Sequence, residues 1–361
     1  MKLKIETTIL KEMVSKAVKG ASMNKLIPLT SMIAIELKNN VLTLHTTDKE
    51  NYLYIIQNDV DGEDFYVTVQ IEQFSKLISK MTSELTVLEL KDNSLEVRGN
   101  GKYNIEIPLD ENGDMVQFPD PLNKNMSYPV DAEIDLSTIK TILNTAKSSL
   151  ATTLEIPQYT GYFVGDKIIT TDTYKICSIN TELAEGKEIL ISPEMMNLLD
   201  VMDNNKIELS IVDDTTLIFT TPNCIVYGNV MDGIEDYAVD AISKLLDETF
   251  NSVCKIDKSK ILAVLDRISL FVGTYDNKAI RLNFTNNGID ISSKQTNGIE
   301  NVEFIESENF KPFTCLIDID MLTSQIKANP NDVIELHYGN EQFVSLINEN
   351  ITQIIALLED N

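Results

Sequence analysis

The sequence predicts an α+β protein made of three successive copies of one unit, each with two amphipathic helices packed on antiparallel sheet. Three observations point there. Helix-period apolar stripes recur at regular intervals along the 361 residues. Period-two alternation fills the stretches between them. Thr-Thr-Asp begins at Thr46 and again at Thr170, 124 residues later.

The first helix of each copy has one stripe. Leu10, Met13, Val14 and Ala17 fall at i, i+3, i+4 and i+7, and so do Ile139, Ile142, Leu143 and Ala146, then Ile261, Val264, Leu265 and Ile268. A second helix follows in each copy. Phe74, Leu77, Ile78 and Met81 share a face, as do Met195, Leu198, Leu199 and Met202; the third stripe keeps only Leu322 and Ile326. Helix starts are expected at Thr7 or Thr8, Ser137 or Asp135, Ser192 before Pro193, Asp257 and Asp320.

Strands follow from alternation. Tyr103, Ile105 and Ile107, then Ile207, Leu209 and Ile211, then Ile280, Leu282 and Phe284 alternate with polar residues. Asn39-Asn40, Asp92-Asn93, Asp213-Asp214, Asn287-Gly288 and Gly339-Asn340 each lie between two such runs, as hairpin turns do. The two Thr-Thr-Asp tripeptides occupy equivalent places after the first helix and a hairpin. The third copy reads Ser292-Ser293-Lys294.

The joins give the domains. Pro119–Asp131 is polar and holds three prolines, a linker composition. Asp240–Val253 reads as a short helix or an extended connector. The expected domains are 1–122, 129–246 and 252–361.

Bulk properties narrow the class. Hydrophobic residues are 43% and charged residues 24%, ordinary for a globular protein. No apolar run is long enough for a membrane span, and the N-terminus lacks the apolar core of a secretory signal, so a cytoplasmic protein with no membrane partner is expected. Cys177, Cys224, Cys254 and Cys315 are scattered and only His45 and His337 accompany them, so no metal site or cofactor is expected.

Net charge is −26, which by itself disfavours nucleic acid. Its distribution says otherwise. The helical segments 9–19, 73–82, 136–147 and 257–268 hold ten basic residues, among them Lys76, Lys80, Lys140, Lys147, Lys258 and Lys260, against three acidic ones. That is +7 over 45 residues, which leaves −33 on the other 316. Basic side chains gathered on helices are the footprint of phosphate binding. The helix near 193–203 runs the other way, with Glu194, Asp200 and Asp203.

No enzyme is expected. The chain has no Gly-x-x-x-x-Gly-Lys-Ser/Thr and no Gly-x-Gly-x-x-Gly. "GNGKY" at 99–103 lies between two alternating runs and reads as a hairpin turn. His45 and Asp48 suggest a general base, but no nucleophile lies near them in sequence.

The stretches "MKLKIETTILKEMVSKAVKGA", "VTVQIEQFSKLISKM", "LEVRGNGKYNIEIP", "GDKIITTDTYKICSI" and "ITQIIALL", in this order and spacing, resemble the bacterial DNA polymerase III beta subunit, the sliding clamp. The resemblance covers the whole chain. It implies three tandem clamp-fold domains that form half of a closed ring. It also implies a head-to-tail homodimer around duplex DNA without base readout, a replicative DNA polymerase tethered to it, and a clamp loader that opens it.

Residues carry over from the resemblance. Asn24 and Lys25 stand where the family has a DNA-contacting arginine, and Gln158 stands in its second DNA-contacting loop. The family's partner-peptide pocket would be walled by Tyr159, Thr171, Thr173, Tyr174, Lys175, Ile176, Ile242, Leu245, Ile355 and Leu357. Thr47-Asp48 in the first copy would be structural only. The dimer contact is expected at Tyr103 and Ile105 on one side and Leu270 and Phe271 on the other.

Departures mark a divergent member, of the kind a phage or plasmid carries. Thr173-Tyr174-Lys175-Ile176 replaces the family's Gly-His-Arg-Leu. "IIALLEDN" replaces a Met-Pro-Met-Arg-Leu-like close, and its acidic end disfavours acidic partner motifs. The alternative is a clamp-like interaction protein that does not encircle DNA.

Overall fold

A computed structural model describes residues 1–22, 27–122, 128–181, 183, 186–273, 278–293, 301–306 and 311–359. Among them are seven α-helices: α1 (Thr7–Ala17), α2 (Ile71–Lys80), α3 (Leu136–Thr145), α4 (Pro193–Leu199), α5 (Val239–Leu246), α6 (Lys258–Ser269) and α7 (Ile319–Ala328). Six are the expected pairs, two to each third of the chain. The seventh, α5, puts a helix over the first part of the connector near 240–253, and the stretch after Leu246 leads without helix into the strand that begins at Ser252. α1 packs on α2, and α6 on α7. No helix among the described residues is long and apolar enough to cross a membrane.

The predicted stripes turn inward, with Leu77 and Leu143 half-buried at their margins. Leu10, Met13, Val14 and Ala17 of α1 lie in the core, as do Ile261, Val264, Leu265 and Ile268 of α6. Caps differ in detail. Asp257 accepts the Lys260 N–H at 3.0 Å as expected. At α7 the cap is Asp318, not Asp320; its carboxylate accepts the N–H groups of Asp320 and Met321. α2 begins at Ile71, which brings Glu72 onto the helix and reduces the positive charge read from segment 73–82.

By contacts the chain divides into two compact units. The first comprises Met1–Leu136 and Glu194–Val230, the second Ser137–Pro193 and Met231–Asn361. The middle third therefore contributes to both.

Sheet pairing explains this division. In the first unit an eight-stranded sheet has the order 132–135, 206–212, 216–221, 224–229, 51–57, 41–47, 32–38, 65–70. Its seam joins Cys224–Asn229 antiparallel to Asn51–Gln57, with Val226 opposite Leu53. In the second unit an eight-stranded sheet has a matching seam, where Lys175–Ile179 pairs with Ile351–Ala356. Four strands from one third meet four from the next, and the seam carries main-chain hydrogen bonds.

Two smaller sheets complete the units. The first unit's five-stranded sheet ends in Lys102–Glu106, and the second unit's four-stranded sheet ends in Val302–Glu306. In the internal order of the half-sheets, 102–106 is the counterpart of 224–229 and 351–356, and 302–306 is the counterpart of 51–57 and 175–179.

The Thr-Thr-Asp echo is a local device built twice. Thr46 Oγ1 donates to the Ala17 carbonyl at 2.8 Å, and Thr170 Oγ1 to the Ala146 carbonyl at 2.8 Å. Thr47 Oγ1 donates to the Asn51 carbonyl at 2.6 Å, and Thr171 Oγ1 to that of Lys175 at 2.8 Å. The carboxylates of Asp48 and Asp172 accept N–H groups two and three residues on. Lys49 and Thr173 adopt positive φ, 96° and 77°. Each tripeptide thus closes a hairpin turn and ties it to the end of the first helix. Gly20 makes room for this in the first copy: a Cβ there would lie 2.5 Å from Thr46 Oγ1.

Candidate functional site

The helices place the predicted cations unequally. Lys80, Lys140, Lys147 and Lys260 are exposed. Lys76 is exposed but donates to Glu72 at 2.5 Å, one helical turn back. Lys16 is bound by Glu12 at 2.7 Å and Asp203 at 2.6 Å. Burial opposes its charge, but hydrogen bonds to Asp203 and Glu12 outweigh that and raise its pKa. The acidic run near 193–203 is therefore partly a partner for α1.

Lys258 has partners within the protein. Its Nζ donates to the carbonyls of Lys327 at 3.1 Å and Asn329 at 2.6 Å, the open end of α7. The half-buried ammonium is held on these main-chain carbonyls, where it stabilises a helix terminus. On α6, Arg267 is held bidentately by Glu303 at 2.7 and 2.5 Å.

Two loops of one construction precede the sheets. Pro28–Ser31 and Pro157–Thr160 are short 3-10 turns whose preceding isoleucines, Ile27 and Ile156, have φ, ψ of −128°, 83° and −129°, 84°. Ser22 N–H donates to the Thr30 carbonyl, and Ala151 N–H to that of Tyr159. Asn24 and Lys25 lie outside the described residues. Gln158 Nε2 donates to the Asp236 carbonyl at 3.2 Å. The second loop exposes Leu154 and Glu155.

The candidate peptide surface lies wholly in the second unit. Buried Phe163, Ile169, Ile176, Leu190, Tyr237, Ile242, Phe343 and Ile354 form one apolar cluster, edged by half-buried Tyr159, Val239, Leu245 and Phe250. Tyr237 meets Tyr159 edge-on at 5.0 Å and Phe163 at 5.2 Å, and its hydroxyl donates to the Ile169 carbonyl at 3.2 Å. Burial raises the pKa of that hydroxyl.

Of the ten predicted wall residues, Tyr159, Ile176, Ile242 and Leu245 are in this cluster. Thr171, Thr173, Tyr174 and Lys175 form the adjoining turn, with Tyr174 60% exposed. Ile355 and Leu357 are corrected: both pack on the separate core of the last third, with α6 and α7. Side chains alternate along a strand, so Ile354, not Ile355, faces the cluster. The sequence reading missed Phe163, Tyr237 and Phe343. A signal existed for the helical part, since Val239, Ile242, Leu245 and Leu246 fall at helix spacing.

The dimer residues divide too. Tyr103, Leu270 and Phe271 are exposed, Leu270 at 78%. The Ile105 side chain is 1% exposed and belongs to the core, so only its main chain lies at the sheet edge. Tyr103 and Ile105 share a strand face, but the cover over that face ends before Tyr103. Beside the other edge, Val302 and Phe304 are each 50% exposed, and the sequence reading passed over both.

His45 sits among aromatic rings. Its ring stacks on Tyr54 at 4.2 Å and meets Phe118 at 4.6 Å, while the Asp48 carboxylate is occupied by turn N–H groups. The four thiols are buried, and burial raises their pKa, to about 12 for Cys177, Cys224 and Cys315. Among the described residues no His, Cys, Asp and Glu cluster could hold a metal ion. Two clefts of about 690 and 710 Å³ lie away from the apolar cluster, along Asn180 and Asn348 and along Glu36 and Leu122.

Comparison with known proteins agrees with this geometry. Residues 1–116 match the family model described as the DNA polymerase III beta subunit, N-terminal domain. No curated protein matches the chain by sequence. The DNA polymerase sliding clamp from Bacillus subtilis superposes with a TM-score of 0.85 at 17% identity, covering 100% of both chains. The DNA polymerase III beta subunit from Thermotoga maritima gives 0.84 at 17% identity, again over 100% of both. The DNA polymerase beta subunit from Streptococcus pyogenes gives 0.87 at 14% identity, over 99% of this chain and 100% of that one. The chain has the sliding-clamp fold from end to end.

Proposed function

We propose that this chain, with the sliding-clamp fold throughout, is a DNA sliding clamp: a non-enzymatic cytoplasmic processivity factor. Two copies join head to tail in a ring around duplex DNA, opened by a clamp loader. Its domains are 1–122, 129–246 and 252–361. The apolar cluster of the second unit holds the replicative polymerase by a short peptide. Lys80, Lys140, Lys147 and Lys260, with Asn24 and Lys25, meet phosphates, weakly and many at a time.

The observation that carries the reading is the pair of seams. Two half-sheet junctions lie inside the chain, and the two half-sheets that would make a third end in 102–106 and 302–306. An antiparallel pairing of 102–106 with 302–306 of a second copy repeats the internal seam. Tyr103, Leu270, Phe271, Val302 and Phe304 supply apolar contact beside it. Heterologous contacts of this kind close a ring or grow a filament, and closure at two copies gives six domains.

One observation favours a clamp-like protein that does not encircle DNA. Lys16, Lys76, Lys258 and Arg267 are all engaged within the protein, so fewer cations face outward than the sequence count implies. Negative-stain electron microscopy with a native mass on the same sample tests the proposal. A closed ring at twice the chain mass is the expected result. Solid particles, or a monomer at micromolar concentration, would overturn it.

A further inference from the structure

The apolar cluster of the second unit is set in acidic surroundings. The stretch 232–248 supplies Ile234, Tyr237, Val239, Ile242, Leu245 and Leu246 to it. The same stretch exposes Asp232, Glu235, Asp236, Asp240, Asp247 and Glu248, against one lysine, Lys244. Glu341 is exposed two residues before Phe343 of the cluster, and Glu359 is exposed just beyond the strand that carries Ile354.

The cation at the adjoining turn does not offset this. Lys175 is 14% exposed; its Nζ lies 3.2 Å from Asp172 and donates to the Ser148 carbonyl at 2.6 Å. Its charge is spent on the turn and on the end of the first helix of that repeat. The side chain the turn presents outward is Tyr174, a neutral aromatic ring.

We propose that this surface takes a short peptide whose apolar anchor is flanked by basic side chains, and discriminates against one flanked by acidic side chains. This rests on the peptide-docking reading above and specifies its partner. The anchor is set by the cluster, where Tyr159, Tyr237 and Phe163 give aromatic walls. The flanks are set by the rim. Exposed rim carboxylates repel like charge and attract lysine and arginine, and either cation also stacks on an exposed tyrosine such as Tyr174. Because the rim is solvated, the preference falls with ionic strength.

The test uses the full chain and three labelled peptides that share an apolar leucine and phenylalanine anchor, with lysine, serine or glutamate on both sides. Fluorescence anisotropy at low salt is expected to rank them lysine, serine, glutamate, with about tenfold or more between the extremes. Added salt should narrow the gap, and so should Asp236→Lys with Glu248→Lys. Leu245→Ser should weaken all three alike, whereas the surface change Tyr174→Ser, which removes the ring a cation stacks on, should weaken the lysine peptide most. Equal affinity for the three, or tighter binding of the glutamate peptide, would overturn the charge preference while leaving the docking surface in place, provided Leu245→Ser still weakens binding. Failure of every peptide to bind would overturn the docking reading and this proposal with it.

Discussion

Ile176 stands directly opposite Ile354 across the seam of the second unit's large sheet, and the neighbouring pair, Lys175 and Ile355, points the other way. One strand therefore serves two cores. Ile354 belongs to the candidate docking cluster, and Ile355 to the core of the last third. Ile355→Ala should lower stability by about 2–5 kcal/mol, the usual effect of emptying a buried aliphatic site. It should leave peptide affinity within about threefold. Leu245→Ala should do the reverse. Urea unfolding and anisotropy on the same samples check the split; equal loss of affinity in both would show the faces are not separate.

Thr173 holds a left-handed backbone, φ 77°, that a β-branched side chain adopts only under strain. The resemblance places a glycine there. Thr173→Gly should stabilise the second unit by up to about 1 kcal/mol, because relief of left-handed strain outweighs the added freedom of the unfolded chain. A lower unfolding midpoint would mean that the Thr173 side chain makes a contact worth more than the strain.

The lysines separate by what their ammonium groups touch. Lys80→Glu with Lys140→Glu should reduce DNA retention and flatten its salt dependence by roughly one unit of slope per lysine removed. Lys258→Met should leave that slope unchanged and lower thermal stability, since the carbonyls of Lys327 and Asn329 lose their donor. A salt titration of DNA binding beside a melting curve distinguishes them. A changed slope for Lys258→Met would return that residue to the DNA surface.

Much of the fold was legible because burial writes a period into the chain. The stripes at Leu10, Ile139 and Ile261 each mark a helix face that the core needs. Sequence was weaker where geometry, not periodicity, decides. Alternation put Tyr103 and Ile105 on one face but could not show where the cover over that face ends. It placed the closing strand without saying which of Ile354 and Ile355 faces the cluster. Counting lysines could not reveal that the Lys258 side chain caps the end of α7. Setting the start of α2 two residues late hid Glu72, which neutralises Lys76. Tyr237 lay outside any regular pattern, in the stretch between sheet and helix, so only tertiary contact identifies it.

The buried thiols make stability fall in alkali. Burial raises their folded pKa above the unfolded value, so their contribution is intact below about pH 9 and is lost as pH rises toward 12. In that window the unfolded chain releases protons that the folded chain keeps. Each buried thiol then withdraws up to about 1.4 kcal/mol per pH unit. Urea midpoints measured from pH 8 upward should decline, and Cys177→Ala should make the decline shallower. A flat profile would mean that these thiols ionise in place.

Ring closure through the 102–106 and 302–306 edges is the central claim. Cysteine pairs introduced across those edges, one at Asn104 and its partner stepped through 302–306, should oxidise between copies in at least one register. Oxidation in the presence of a nicked circular plasmid should leave protein on the DNA after denaturation in detergent, and cutting the plasmid once should release it. Crosslinked protein that never stays with the circle, or that stays equally on circular and linear DNA, would contradict encirclement.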